Sequence, residues 1–143
     1  MFLPIMLLLA SVAMSTPTAL STTTNPQGPK VETLGQYVKQ YYADTPILAD
    51  IAWCESRIRH VDKEGDILRG VVNPKDIGVM QINTKYHEEQ AEAMNLDLHT
   101  LDGNLAYAKR LYEKEGTKPW ASSKACWGPL SKKSTEGATL AQK

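Results

Sequence analysis

The chain of 143 residues has no charge excess of either sign, with 16 Lys and Arg against 16 Asp and Glu. That balance argues against the basic surface a nucleic-acid partner needs. No repeat of about 20–50 residues is present, which excludes solenoids and propellers. No heptad or collagen-like pattern appears either. A Gly-rich phosphate loop is missing, and so is an ordered Ser, His and Asp set, so nucleotide-binding and triad-hydrolase chemistry drop out. Cysteine is scarce: Cys54 and Cys126 are the only two. Two thiolates without a His cluster make no zinc site. The length suits one domain.

Charge is also missing locally, because residues 1–29 contain no ionisable side chain. Phe2 to Ala10 is apolar and is followed by small residues at Ala10, Ser11, Ala13 and Ser15. A membrane-crossing helix needs about 20 apolar residues, so this run is too short. It reads as an export leader over 1–15, cut near Ala13 or Ser15, although no Lys or Arg precedes its core. Residues 16–30 are rich in Thr, Ser and Pro and read as a linker. The expectation is an exported protein, periplasmic or extracellular, with no membrane span once the leader is removed and a tether if it is retained. In such a chain an even cysteine count favours a Cys54–Cys126 disulfide over two buried thiols. The bridge would close a loop of about 70 residues and stabilise by roughly 4 kcal/mol.

The folded domain is expected over 31–127, with a tail over 128–143 that lacks periodicity. Val31, Leu34, Tyr37, Val38, Tyr41 and Tyr42 recur at helical spacing and predict a helix over about 32–43. Asp44-Thr45-Pro46 then supplies a capping side chain and a proline for the start of a second helix. Leu48, Ile51 and Ala52 share one face of it, and Glu55 falls at the edge of that face. A carboxyl group placed there loses hydration, so its pKa rises and the protonated form is favoured. General-acid cleavage of a glycosidic bond needs that property.

Residues 58–82 predict three short β-runs separated by Lys63-Glu64-Gly65-Asp66 and Asn73-Pro74-Lys75-Asp76 turns, making a small three-stranded antiparallel wing. Asp62, Glu64 and Asp66 lack the remaining ligands of a calcium loop and read as a solvated turn. A helix from Asn83 or Thr84 to about Met94 should end at a left-handed Asn95. Another should start at Asp102 or Asn104 and stop at Gly116. Trp120 to Trp127 predicts a last short helix.

Glu55-Ser56, then Gly78-Val79-Met80-Gln81-Ile82, then Asn104-Leu105 ahead of a helix resemble the SLT domain of lytic transglycosylases, in the lysozyme-like superfamily. The string Asp76-Ile77-Gly78-Val79-Met80-Gln81-Ile82-Asn83 is also similar to animal-type lysozymes. The resemblance covers about residues 33–127. It implies an α+β, mainly α, lysozyme-like fold with a groove beside the β wing. It implies peptidoglycan glycan strands as the partner, cut at the MurNAc–GlcNAc β-1,4 bond, by a monomer without cofactor or metal. Glu55 would be the general acid and then the base, giving 1,6-anhydro products. Ser56, Gly78, Met80 and Gln81 would line or support the substrate groove. The family's late Tyr is missing from Pro119 to Trp127, and Tyr107 or Tyr112 is the candidate replacement. Asp76 stands where animal-type lysozymes keep a second carboxylate, so a hydrolase using Glu55 and Asp76 is the alternative. A peptidoglycan-binding module without turnover is another.

Plainer readings stand beside these. Glu55 could pair with Arg57 or Arg59, Asp76 could serve its turn, and Gln81 could satisfy backbone groups. Asn104 reads as a helix cap, Trp53 and Trp127 as core, and His60, His87 and His99 take no role.

Overall fold

The computed structural model describes residues 32–140. The expected leader and linker fall outside the described residues. The chain runs α1 (Leu34–Tyr41), α2 (Ile47–Ser56), β1 (Asp76–Ile77), β2 (Ile82–Asn83), α3 (Thr84–Ala93), α4 (Leu101–Glu115), a 3₁₀ turn (Lys118–Ser123) and α5 (Lys124–Leu140). The mainly helical α+β class therefore holds.

Helix α1 opens with a capping box. The Gln36 amide N–H donates to Thr33 Oγ1 at 3.2 Å, and the Thr33 N–H donates to Gln36 Oε1 at 2.9 Å. Val38 and Tyr42 are fully buried, and the Tyr42 hydroxyl donates to the Leu105 carbonyl at 2.8 Å. Helix α2 sits at the centre, with Leu48, Ile51 and Ala52 fully buried. Asp44 does not cap it, and Pro46 stands just before its first residue. The first turn closes instead through backbone, from Leu48 N–H to Thr45 O and from Ala49 N–H to Pro46 O, both 3.0 Å. That leaves the Asp44 carboxylate for Lys109 Nζ at 2.5 Å.

The wing is smaller than the sequence predicts. The named strands are two, β1 and β2, antiparallel with Asp76 opposite Asn83 and Ile77 opposite Ile82. The expected third strand is reduced to isolated bridges, Val61 with Ile67 and Arg69 with Ile77. Gly70 still bonds across, its N–H donating to the Asp76 carbonyl at 2.8 Å, but the chain then leaves the sheet through bends at Val71 and Val72 and a turn at Pro74 and Lys75. Val71 and Val72, β-prone by type, are fully exposed. The Asp62 carboxylate accepts from the N–H groups of Glu64 and Asp66, both at 3.0 Å, a self-contained turn. The run from Ile77 to Ile82 is not one strand, because Gly78 to Gln81 forms the turn between β1 and β2.

Helix α3 is followed by Asn95 at φ +57°, as its position predicts. Helix α4 starts earlier than expected, capped by Thr100, whose side chain accepts from the Gly103 N–H. Gly116 ends it at φ +64°. The segment 128–140 is not a tail without structure: it continues α5. Helix α5 packs against α2, and the Cys54–Cys126 disulfide covalently joins the two. Trp127 is buried as expected, but Trp53 is 46% exposed, with the Arg57 guanidinium 5.1 Å from its ring. No described helix is long and apolar enough to cross a membrane.

Candidate active site

The turn Gly78-Val79-Met80-Gln81 fixes the site, and three side chains from elsewhere fix the turn. Asn104, fully buried on α4, accepts from the Met80 N–H at 2.9 Å. Its amide donates to the carbonyls of Ile77 and Leu98, both at 3.1 Å. Ser56 Oγ, at the end of α2, donates to the Val79 carbonyl at 2.8 Å. The Val79 N–H donates to His60 Nδ1 at 3.3 Å, while His60 Nε2 faces the His99 carbonyl at 2.9 Å. His60 is therefore a neutral ring protonated on Nε2, and burial pushes its pKa down, favouring that state. Gly78 has φ +71°, and a Cβ there would sit 2.6 Å from Asn104 Nδ2. Only glycine meets both demands.

Glu55 lies on α2, next to Cys54. Its carboxyl accepts from Ser123 Oγ at 2.6 Å. Ser123 also contacts the Trp120 carbonyl at 3.2 Å. That carbonyl accepts from Trp127 Nε1 at 2.9 Å, and Trp120 Nε1 donates to the Met80 carbonyl at 3.0 Å. The Gly78–Gln81 turn, the 3₁₀ segment and the catalytic candidate thus form one hydrogen-bonded assembly. Burial pushes the Glu55 carboxyl above the ordinary Glu range; the Ser123 hydroxyl works against that shift, and the charge of Asp76 adds to it.

Asp76 shares a cleft of about 360 Å³ with Glu55. Two amides hold its Oδ1: Asn83 Nδ2 donates at 2.6 Å and Asn73 Nδ2 at 3.2 Å. Gln81 also lines the cleft, held at φ +51°, with its amide donating to the Gly78 carbonyl at 2.9 Å. Tyr86 and His87 from α3, Glu115 from α4, and Trp120 and Ser122 from the 3₁₀ turn also line the cleft. No group of three or more potential metal ligands exists among the described residues.

No family model matches this chain, and no curated protein or solved structure does either.

Glu55, Asp76 and Gln81 thus meet in one cleft. The other candidates do not line it. Ser56 is spent on the turn and on the Ala52 carbonyl at 3.1 Å. Met80 is fully buried in the core. Gly78 packs on Asn104 and His60. Tyr107 is 1% exposed, with its hydroxyl between His87 Nδ1 at 3.1 Å and Gln90 Oε1 at 3.2 Å. It does not reach Glu55. Ser123 takes the position against the carboxyl, and neither Tyr107 nor Tyr112 does. Sequence reasoning missed Ser123, Asn73, Asn83, Tyr86 and His87. Asn73 and Asn83 were findable, since each flanks Asp76 within a turn or hairpin. Ser123 was not, since no local pattern marks a serine that meets a residue 68 positions away.

Proposed function

We propose that this chain is an exported peptidoglycan-cleaving glycosidase of lysozyme-like fold, acting on the MurNAc–GlcNAc β-1,4 bond. One observation carries the reading: a half-buried carboxyl, Glu55, faces a polar cleft with its pKa raised by burial. Such a group stays protonated near neutral pH more readily than an exposed Glu, and can give its proton to the leaving sugar oxygen. The turn bearing Gln81 and the hairpin bearing Asp76 supply the polar wall against which a sugar strand would lie.

The SLT resemblance favours a lytic transglycosylase. Glu55, having lost its proton, then takes one from the muramoyl 6-hydroxyl. That oxygen closes on the anomeric carbon, and a 1,6-anhydro product leaves without water. A second reading has an observation of its own. Asp76 lines the same cleft, and both its amide partners orient one carboxylate oxygen. A carboxylate in that place suits a hydrolase, where it attacks or stabilises the anomeric carbon and water completes the reaction.

Product mass distinguishes the readings. Purified full-length protein digests peptidoglycan sacculi, and Glu55→Gln abolishes release of soluble fragments while leaving the folded spectrum intact. Anhydro ends mark the transglycosylase. Reducing muramic ends mark the hydrolase, and Asp76→Asn then removes most of the rate. Sacculi left uncut by the wild-type protein rule out both.

A further inference from the structure

Tyr107 and His87 form a pair that reaches from the core to the cleft. Tyr107 lies on α4 and is 1% exposed, while His87 lies on α3 and lines the cleft. Their ring centroids are 5.5 Å apart, with the planes tilted at 56°. His87 Nδ1 is 3.1 Å from the Tyr107 hydroxyl, and that hydroxyl donates to Gln90 Oε1 at 3.2 Å. Gln90 presents its oxygen there because its Nε2 donates to the Tyr86 carbonyl at 3.4 Å; the flipped amide would set two acceptors against each other. A phenol has one proton. Spent on Gln90, it leaves only an oxygen lone pair for His87, so Nδ1 carries the ring's proton and donates it. Burial pushes the His87 pKa down and favours the neutral ring, against the opposing charge of Glu115 and with that of Lys114.

A neutral ring protonated on Nδ1 carries a lone pair on Nε2. Nε2 has no partner among the described residues, yet the buried side-chain polar atoms left unpartnered there are limited to Asn83 Oδ1. His87 Nε2 is therefore not buried, and it opens to solvent where the ring lines the cleft. A free imidazole exchanges its proton between the two nitrogens and can donate or accept at either edge. Here Tyr107 and Gln90 hold the proton on the inner edge. A hydroxyl such as that of Tyr86 or Ser122 can turn to suit either kind of ligand group, but this nitrogen only accepts.

Resting on the glycosidase reading, we propose that His87 is a specificity-determining residue whose Nε2 accepts a hydrogen bond from a neutral donor on the glycan strand, and that Tyr107 is the residue that positions its proton. Two groups on the strand carry that chemistry: the acetamido N–H and a sugar hydroxyl. A strand lacking the matching donor leaves the nitrogen unpaired and binds less well. Tyr107 thus acts on the substrate through His87 and needs no contact with Glu55.

The tautomer is read first, without ligand, by long-range proton–nitrogen NMR on the full-length protein at about pH 7.5, above the ordinary His range. His87 should show the Nδ1–H form. Tyr107→Phe keeps the ring but loses the acceptor, and should admit the Nε2–H form. Binding is then measured by calorimetry on full-length Glu55→Gln, so that ligands stay intact, with an N-acetylglucosamine tetrasaccharide. One analogue carries acetate esters in place of the acetamides, which removes the N–H and keeps the carbonyl; two others lack the 3- or the 6-hydroxyls. One analogue should bind about fivefold weaker, the worth of one neutral hydrogen bond, and which one identifies the donor. Adding His87→Asn, which keeps a donor for Tyr107 but falls short of the Nε2 position, should remove that difference. His87→Gln, whose amide oxygen can take that position, should restore it. A wild-type ring protonated on Nε2, a tautomer unchanged by Tyr107→Phe, equal binding of all the ligands, no binding at all, or a difference that survives His87→Asn overturns the proposal. Cleavage of sacculi by wild-type protein is read separately. Cleavage without the ligand difference sinks this inference alone, and the difference without cleavage sinks the glycosidase reading alone.

Discussion

Removing the Cys54–Cys126 bridge tests both the stability of the domain and the geometry around Glu55. The two cysteines are separated by 72 residues. In the chain-entropy description, closing a loop of that length restricts the unfolded chain enough to stabilise the fold by about 4 kcal/mol. For a domain of this size each kcal/mol moves the midpoint by roughly 4 °C, so Cys54→Ser/Cys126→Ser should melt about 15 °C lower. The local effect is separate. Cys54 adjoins Glu55, and Cys126 lies three residues after Ser123, whose hydroxyl contacts the Glu55 carboxyl at 2.6 Å. Without the covalent tie, α2 and the start of α5 can part, and that hydrogen bond should weaken. Thermal melts followed by circular dichroism give the first number. The pH profile of fragment release, taken well below the variant's melting point, gives the second. A loss under about 5 °C would refute the entropic argument for a loop this long. An unchanged profile in the folded variant would show that Trp120 and Trp127 hold Ser123 without the bridge.

Three further outcomes follow from the same contacts. Ser123→Ala removes a hydrogen bond that favours the charged Glu55, so the alkaline limb of kcat/KM should move to higher pH, and a limb that stays or moves down contradicts the assignment. Glu55→Gln should raise stability at pH 7–8: the folded pKa lies above the unfolded one, so folding is penalised once pH passes the unfolded value. Melts at about pH 4, where the unfolded carboxyl is itself largely protonated, should show the gain shrinking, and a constant gain would point to packing. Asn104→Ala strips partners from the Met80 N–H and the Ile77 and Leu98 carbonyls. Urea unfolding should report a loss of about 3–5 kcal/mol, because buried groups left unpaired each cost on the order of 1–3 kcal/mol; a loss under about 1 kcal/mol would mean the turn holds itself.

Helices were readable where local chemistry decides them. Val38, Leu48, Ile51 and Leu111 recur at helical spacing and are buried, and Asn95 and Gly116 occupy the left-handed or unusual backbone their types allow. The β wing was overread. Ile67, Val71 and Val72 have strand-forming side chains, yet the chain bends away after Gly70 and leaves Val71 and Val72 fully exposed with no face to bury. Asn104 was assigned to a helix cap by residue type, but its three contacts lie 6 to 27 residues away in sequence. Glu55 was found because an acid in an apolar pattern is locally anomalous. Its partner Ser123 was not, because its surroundings are ordinary and the contact is made only by the fold. The end of the chain shows the reverse error: 128–140 lacks a periodic stripe, yet it prolongs a helix that starts at Lys124 and is anchored by Cys126.

The bridge between α2 and α5 also sets a clock. At about 5–20 residues per second of synthesis, Cys126 emerges roughly 4 to 14 s after Cys54. During that interval Glu55 has neither Ser123 nor the Trp120 wall beside it, so a nascent chain carries its acid but not the assembly around it. When the second thiol arrives there is only one partner available, since the chain has two cysteines. Oxidation within one molecule therefore cannot trap a wrong pairing. The bond that completes the site also marks that nearly the whole folded domain has been made.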